Sequence, residues 1–465
     1  MNLAWLALAC AHTPEAPVVD LTTPPTVAAA ADFEPPTPVE FTLSNGLRVW
    51  LVEQPGLPLV SIRLVVPGGS ARDAASQHGA ANLADDALKH GAGDRDATAF
   101  AAEVERLALS LGVYTGGTAS TVSLDAHIDR LDAGLGLMAD MILRPRFEDD
   151  DVERLKTLQI GALTESADDP RMLAAWALDA QYYGQGHPLA HPTEGTIESV
   201  KGLTASDLQA SYSARFVPDH AVLVVAGAVN RADLTGQLEK HLADWAATGS
   251  TLTDIPPPPV HSGTGRHFFV HKSGTSQTAL RVVMPAPSSD DAASAPAELG
   301  SIVLGGTFTS RLNRLLREEK GYTYGARASY DGKSNYGYLL ARTNVQRDVS
   351  APALVDLLGA LDAYTRGIDE VELGKALGSW QTNVVEAMGS RSAIASAYAG
   401  YAAQGMPRTA LADGLDKAQA ATVADVNDAV KVSKVAEAVM VVVGDLSEIR
   451  APIEAAVEGD WTVLD

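Results

Sequence analysis

Apolar and polar residues alternate at every second position in several short segments near the start of the chain, which is typical of half-buried β-strands. Residues 39–52 alternate around Ser44-Asn45-Gly46 and therefore predict a β-hairpin with a tight turn. Residues 59–66 predict the next strand. The rest of the first half predicts helices over 77–89, 98–111, 131–143 and 150–183, and strands over 119–128 and 221–225.

The second half of the chain repeats this order of elements. Its pattern predicts strands within 267–285, a helix over 297–319, a strand pair over 322–330 and 336–344, and a helix over 351–364. The segment 216–227 has a counterpart at 435–444, and similar helix-forming stretches with a Ser or Thr cap precede both, at 203–208 and 421–426. The chain is therefore predicted to be a duplication of one α+β unit.

A run of prolines, Ile255-Pro256-Pro257-Pro258-Pro259, separates the two halves and predicts a stiff, extended linker. We accordingly divide the chain into a leader with a flexible tether (residues 1–38), a first domain (39–250), the linker (251–265) and a second domain (266–465). A two-domain scaffold would show the same repeat, so the duplication alone does not indicate a catalytic function.

The charge of the chain disfavours one class of partner. Its 465 residues include 35 Lys and Arg against 58 Asp and Glu, which gives a net charge of −23. Because binding to phosphates requires clustered basic residues, this balance argues against nucleic acid and fits a basic or neutral peptide partner better. No later apolar run approaches the ~18 residues that a membrane span requires, so we expect the folded part to lie outside the bilayer.

The single cysteine, Cys10, follows the apolar run Leu3-Ala4-Trp5-Leu6-Ala7-Leu8-Ala9 and precedes a stretch rich in Pro and Ala. One cysteine excludes an internal disulfide and a thiolate metal cage. The arrangement resembles a bacterial lipoprotein signal with Cys10 as the lipidated residue, although no basic residue precedes the apolar run. An ordinary cleaved signal and an uninformative N-terminus are the alternatives. The lipoprotein interpretation predicts a periplasm-facing protein of the bacterial cell envelope, attached to the membrane only through this anchor.

The hairpin Phe41-Thr42-Leu43-Ser44-Asn45-Gly46-Leu47-Arg48-Val49 and the helix after it resemble the pitrilysin/insulinase family of metallopeptidases. The resemblance extends from residue 39 to the C-terminus. It implies an α+β fold of two duplicated α/β-roll domains, each an antiparallel-rich sheet packed with helices, which together form half of a clam-shell. In the family this helix carries the motif H-x-x-E-H, in which two His bind zinc and the Glu activates water. A Glu on a later helix completes the ligand set.

This zinc motif is degenerate here. Asn82 stands at the first His, Asp85 at the general base and Asp86 at the second His, while Ala162 stands at the later Glu. Because neutral imidazole makes such a site select zinc, an amide with two short carboxylates does not replace it. We expect an ordinary solvated acidic face, and the alternative is a residual site for a hard cation near His90.

The remaining histidines do not restore a metal site. His187 and His191 lie in a proline-containing segment that predicts a loop rather than a helical pair of ligands. The resemblance implies a structural role for this loop, with metal binding as the alternative. His78 precedes the degenerate motif and is expected at the surface or at a helix cap.

The second half retains another feature of the family, a Gly-rich turn, a helix that ends in Arg, and a Tyr seven positions later that opens a strand. Gly305, Gly306, Arg317 and Tyr324 match it, with Tyr322 as a competing tyrosine. The resemblance implies that Arg317 and Tyr324 hydrogen-bond the substrate carbonyl near the scissile bond, where they stabilise developing negative charge. The alternative is that Arg317 complements the helix dipole and Tyr324 fills a sheet. The glycines either admit the bound peptide or only form the turn.

Two functions follow from the resemblance. The first is a non-zinc subunit of a heterodimeric zinc peptidase, with no cofactor of its own, inactive alone, and paired with a homologous H-x-x-E-H subunit that brings the zinc to a peptide substrate. The second is a pseudo-peptidase that acts as a scaffold or peptide-binding protein without turnover. A self-sufficient zinc peptidase is disfavoured because every ligand position and the base are altered.

Overall fold

The computed structural model describes residues 33–249, 251, 253–259 and 266–464. Cys10 and the predicted leader therefore lie outside the described residues. The described residues from Pro35 onward form one compact unit that contains two six-stranded sheets. None of the helices in the described ranges combines the length and the apolar character that crossing a bilayer requires.

The first half builds one sheet with the strand order β1-β2-β8-β3-β7-β6. Its strands, with a small separate β4-β5 hairpin, are β1 (Val39–Thr42), β2 (Arg48–Glu53), β3 (Leu59–Pro67), β4 (Gly91–Ala92), β5 (Arg95–Asp96), β6 (Ser110–Thr115), β7 (Ala119–His127) and β8 (Val222–Gly227). Its helices are α1 (Ala80–Ala87), α2 (Ala97–Arg106), α3 (Leu131–Leu143), α4 (Asp149–Ser166), α5 (Pro170–Tyr183), α6 (Ile197–Gly202), α7 (Ala205–Arg215) and α8 (Arg231–Leu242). All neighbouring strands are antiparallel except β2 and β8.

The second half builds a similar sheet with the order β14-β9-β13-β10-β12-β11, in which β9 runs parallel to both β13 and β14. Its strands are β9 (Arg266–His271), β10 (Gln277–Ala286), β11 (Ala326–Gly332), β12 (Gly337–Gln346), β13 (Val439–Gly444) and β14 (Trp461–Leu464). Its helices are α9 (Ser294–Ser301), α10 (Ser350–Thr365), α11 (Glu370–Ala387), α12 (Arg391–Ala403), α13 (Ala410–Ala420), α14 (Val423–Val430) and α15 (Leu446–Ala456). Two π-helical segments, Ile302–Gly306 and Asn313–Glu319, follow α9. The predicted duplication and the α+β fold class are confirmed.

One helix of each half packs on the sheet of the other half. Helix α5 packs on the second sheet, where Ala174 and Leu178 join the apolar cluster of Ala279, Val283 and Val441. Helix α12 packs on the first sheet, where the hydroxyls of Ser392 and Ser396 accept hydrogen bonds from Arg63 at 2.6 and 3.2 Å. Packing therefore interlocks the two halves. The domain boundaries given above stay a prediction from the sequence.

Three predicted helices differ from the structure. The long helix over 150–183 is two helices, because Asp169 caps a new helix whose first residue is Pro170. The predicted helix over 98–111 ends at Arg106, and β6 begins at Ser110. The predicted helix over 297–319 is interrupted between its two π-helical segments by a turn that contains Phe308.

Candidate functional site

Asp85, at the position of the family's general base, is buried in an ion pair. Its side chain is 1% exposed, and one carboxylate oxygen accepts a hydrogen bond from Arg215 Nη2 at 2.8 Å. The other oxygen accepts from the hydroxyl of Thr115 at 2.6 Å and from the hydroxyl of Ser120. The expectation of a uniformly solvated acidic face is therefore wrong for Asp85, because its partner comes from a distant part of the chain.

Asp85 and Arg215 together link four elements around this carboxylate. The guanidinium of Arg215 also donates to the Ser120 hydroxyl at 2.9 Å and to the carbonyl of Ala81 at 3.3 Å. The arginine lies at the end of α7, Thr115 ends β6, Ser120 lies on β7, and Asp85 lies on α1. The cluster therefore holds α1 against the sheet.

The other positions of the degenerate motif do not complete a ligand set. Asp86 forms a surface ion pair with Lys89 at 2.6 Å, Asn82 is half-buried, and Ala162 is exposed on α4. His90 Nδ1 lies 3.0 Å from Arg154 Nη2. Among the described residues, no group of three or more His, Cys, Asp or Glu side chains could hold a metal ion. These residues do not fit zinc, because an amide at Asn82 and a methyl group at Ala162 stand at two of the ligand positions, and Asp86 at the third is already paired with Lys89.

The histidines of the proline-containing loop have structural partners. His187 Nδ1 accepts from the Leu189 N–H at 3.0 Å, and Nε2 lies 2.9 Å from the Pro256 carbonyl, so the ring joins the loop to the linker. His78 and His191 stack with their ring centroids 3.7 Å apart. Burial is the main cause that lowers the pKa of each, which favours the neutral rings that this stacking requires.

Arg317 lies in the second π-helical segment, and its guanidinium covers an aromatic ring. The Arg317 Cζ atom lies 4.1 Å from the centroid of the Phe308 ring, whose side chain is 58% exposed. Arg317 forms no ion pair with any side chain in the described ranges. A cation–π contact at this distance restrains the guanidinium and leaves its N–H donors free of carboxylates.

Tyr324 is 91% exposed, although the turn that carries it is held firmly. The Thr323 hydroxyl donates to the Asn344 carbonyl at 2.7 Å, and the Gln346 N–H donates to the Tyr322 carbonyl at 3.2 Å, which fixes the turn to β12. The prediction that Tyr324 opens a strand is wrong, because β11 begins two residues later at Ala326. Its ring therefore does not fill the sheet, and the structural alternative for Tyr324 does not hold.

Asn313 connects the two segments that carry Phe308 and Tyr324. Its amide nitrogen donates to the Thr307 carbonyl at 2.9 Å, and its amide oxygen accepts from the Ala326 N–H at 2.9 Å. The side chain is buried, so this connection is shielded from water. Sequence reasoning missed Asn313, since a single Asn within an apolar helical pattern gives no signal of the two backbone groups that it joins.

The two glycines of the Gly-rich turn have different surroundings. A Cβ atom on Gly305 would lie 2.0 Å from the Ala328 backbone nitrogen, so the absent side chain allows the π-helical segment to approach β11. A Cβ atom on Gly306 would lie 3.2 Å from the nearest atom, in the Ile302 side chain, and Gly306 is exposed. Packing therefore accounts for Gly305 without a bound peptide, whereas Gly306 remains open to one.

The chain is similar to known proteins over most of its length. The family model "Insulinase (Peptidase family M16)" matches residues 48–196, and "Peptidase M16 inactive domain" matches residues 202–378. An uncharacterized zinc protease of Mycobacterium tuberculosis is 25% identical over 354 residues, which cover 75% of this chain and 80% of that protein. The non-peptidase homolog YmxG of Helicobacter pylori is 24% identical over 323 residues, covering 69% and 73% respectively.

A solved structure agrees with the fold. The crystal structure of a peptidase M16 inactive domain from Pseudomonas fluorescens matches with a TM-score of 0.80 at 24% identity, and covers 88% of this chain and 98% of that one. At this identity the likeness concerns the fold alone. Function must therefore be argued from the residues of this chain.

Proposed function

Since the chain belongs to the insulinase family (peptidase family M16), we propose that it is the non-zinc subunit of a heterodimeric zinc metallopeptidase. In this proposal it contributes Arg317 and Tyr324 to a peptide that is bound at the active site of a homologous partner. The partner carries the H-x-x-E-H motif and the zinc, which this chain does not hold. The buried pair of Asp85 and Arg215 supports this division, because the carboxylate at the position of the general base is engaged by a guanidinium and not directed at a metal-bound water.

The observation that carries the proposal is the exposure of Tyr324 on a firmly held turn. A tyrosine that is 91% exposed contributes little to folding, since the stabilisation from an aromatic side chain depends on the area it buries. Hydrogen bonds nevertheless fix the turn to β12 and, through Asn313, to the segment that carries Phe308. A donor that is positioned in advance and left uncovered suits the recognition of a ligand.

The two side chains suit the stabilisation of negative charge on a carbonyl oxygen. Hydrolysis of a peptide bond develops charge on that oxygen, and the guanidinium of Arg317 and the phenol of Tyr324 are both hydrogen-bond donors. Phe308 supports the planar guanidinium from one face, so less side-chain entropy is lost when a carbonyl binds. Removal of one such donor typically lowers the rate by about 10²–10³.

The test is a pair of matched variants in the presence of the partner. Tyr324→Phe removes only the exposed hydroxyl, and we expect kcat for partner-dependent cleavage to fall by about 10² while peptide binding changes little. Tyr322→Phe, two residues earlier on the same turn and half-buried, serves as the control and should leave kcat unchanged. Equal effects of the two variants would contradict the assignment of Tyr324.

A second candidate is a pseudo-peptidase that binds peptides or serves as a scaffold without turnover. The likeness to a protein named as a non-peptidase homolog favours it. The two candidates differ in what Arg317 does, because a scaffold needs no donor for a reacting carbonyl. If Arg317→Ala leaves partner-dependent cleavage unchanged, the scaffold is the better description.

The location in the cell envelope remains part of the proposal. Cys10 would carry the lipid anchor, which would place the folded part on the periplasmic side of a membrane. Expression of the full chain with a radiolabelled fatty acid should label the protein, and Cys10→Ser should abolish the label. A label that persists in Cys10→Ser would exclude this cysteine as the acceptor.

A further inference from the structure

Three arginines form a row across the second sheet. Arg327 on β11 lies directly opposite Arg342 on β12, and Arg342 lies directly opposite Arg281 on β10. Residues that face each other on antiparallel strands project from the same side of the sheet, with Cβ atoms about 5 Å apart. The three guanidinium groups therefore occupy one face, and we call this set the arginine row.

The arginine row has no carboxylate of its own. None of its three members forms an ion pair with another side chain in the described ranges. Arg281 is buried, and its Nη1 donates only to neutral acceptors, which are the Leu280 carbonyl, the Thr343 carbonyl and the Asn344 side-chain oxygen. Arg327 and Arg342 are exposed. This is an uncompensated cationic strip in a chain whose net charge is −23.

The charged groups near Arg281 affect its pKa. Burial, followed by the nearby charges of Arg342 and Arg171, lowers the pKa of Arg281 to about 10, while Asp169 acts in the opposite direction. Asp169 does not supply the missing partner, because it is already bound to Arg171 at 2.6 Å. Like charges directly opposite each other on neighbouring strands destabilise a sheet. The arrangement therefore lowers the stability of the free chain, and an anion bound between the guanidinium groups would offset this repulsion.

The duplicated half shows that the fold does not require this row. The equivalent arginine on β3 is Arg63, which forms an ion pair with Asp125 at 3.2 Å. The residue opposite Arg63 is Ser123, and the residue opposite Ser123 is Gly112. At the matching positions the second half has Asn344 in place of Asp125, Arg342 in place of Ser123 and Arg327 in place of Gly112. One carboxylate is lost there and two cations are added.

The arginine row adjoins the turn that presents Tyr324. Arg327 follows Tyr324 by three residues, and Asn344, which accepts from Arg281 through its side chain, also accepts from Thr323 through its carbonyl at 2.7 Å. Further along the same face is Asp331, whose carboxylate accepts from Tyr338 at 2.7 Å and pairs with Lys333 at 2.8 Å. The one nearby acid on this face of β11 is thus already engaged, while the arginines beside Tyr324 are not.

We propose that the arginine row binds acidic side chains of an extended peptide, so that the ligand at this face is a peptide with Asp or Glu close to the residue held at Tyr324. The assignment of the face as a peptide site rests on the proposed function, and the charge preference rests on the row itself. Guanidinium groups match carboxylates through paired hydrogen bonds, which gives this preference a geometric basis. It is opposite to the preference for basic or neutral peptides that the net charge predicts.

The test measures binding by the full chain alone, so it does not depend on a partner or on cleavage. A labelled unstructured peptide with two Glu residues is compared by fluorescence anisotropy with its twin that carries Gln at the same positions. We expect tighter binding of the Glu peptide, about threefold weaker binding to Arg342→Ser, and about tenfold weaker binding to Arg327→Ser/Arg342→Ser. Arg48→Ser, which removes an exposed arginine from β2, is the matched control and should bind as the unaltered chain does.

Several outcomes would overturn the proposal. They are equal affinity for the Glu and Gln peptides, binding to neither of them, equal weakening by Arg48→Ser, and complete displacement of the Glu peptide by inorganic phosphate at the same concentration. A Glu-specific loss on Arg342→Ser supports the proposal even where mixtures with a zinc-bearing partner fail to cleave. Cleavage without charge preference would retain the proposed function and remove only the acidic ligand.

Discussion

Replacement of Asp85 by alanine probes the cluster that occupies the degenerate zinc motif. The change removes a carboxylate that is 1% exposed and leaves the Arg215 guanidinium, 2% exposed, without its charge partner. The hydroxyls of Thr115 and Ser120 also lose their common acceptor. Since these donors lie in the interior, water cannot take over the role of the carboxylate.

The expected loss of stability is large. Removal of one partner of a buried ion pair typically costs about 3–5 kcal/mol, because the remaining charge stays desolvated. A unit of this size, unfolding as one, has an unfolding entropy of about 0.9 kcal/mol per kelvin, so the thermal midpoint should fall by about 3–6 °C. Differential scanning calorimetry of the purified chain measures this shift directly.

Two further variants decide whether the buried charge is the cause. Asp86→Ala alters the adjacent residue, whose surface pair with Lys89 should contribute at most about 0.5 kcal/mol. Asp85→Leu/Arg215→Met removes both charges and should recover much of the lost stability. A midpoint for Asp85→Ala within about 1 °C of the unaltered chain would refute the buried ion pair as the reason for the orientation of α1.

Two other predictions concern packing and pH. Gly305→Ala should destabilise the fold by about 1–3 kcal/mol, since its Cβ would lie 2.0 Å from the Ala328 nitrogen. Gly306→Ala should cost less, since its nearest contact is 3.2 Å from the Ile302 side chain; equal midpoints for the two variants would contradict this difference. Burial raises the pKa of Asp179 to about 7, so the folded chain holds a proton that the unfolded chain releases, and stability should fall as pH rises from about 4 to about 7. Asp179→Asn should flatten that part of the stability profile, and an unchanged profile would contradict the raised pKa.

Local patterns predicted much of the fold. The order of strands and helices and the duplication followed from periodicity, and the caps at Thr204 and Thr422 are present as complete capping boxes. The exchange of α5 and α12 between the sheets did not follow, because it depends on contacts between residues far apart in the sequence. The predicted helix over 297–319 was drawn through the turn at Phe308, although the adjacent Gly305 and Gly306 disfavour a continuous helix.

The candidate site, too, could be predicted from the sequence only in part. Arg317 and Tyr324 could be singled out through the resemblance to the family, but the exposure of the tyrosine depends on where β11 begins. The burial of Asp85 depends on Arg215, which is 130 residues away and gives no signal of the pairing. The arginine row was hidden for a similar reason, because strand register decides which of the scattered arginines lie side by side.

The most direct test of the account measures zinc content and peptidase activity for this chain alone and for its mixture with a homologous subunit that carries H-x-x-E-H. The account predicts neither bound zinc nor cleavage for the chain alone, and cleavage by the mixture that falls when Arg317 is replaced by alanine. Stoichiometric zinc and cleavage by the chain alone would contradict it.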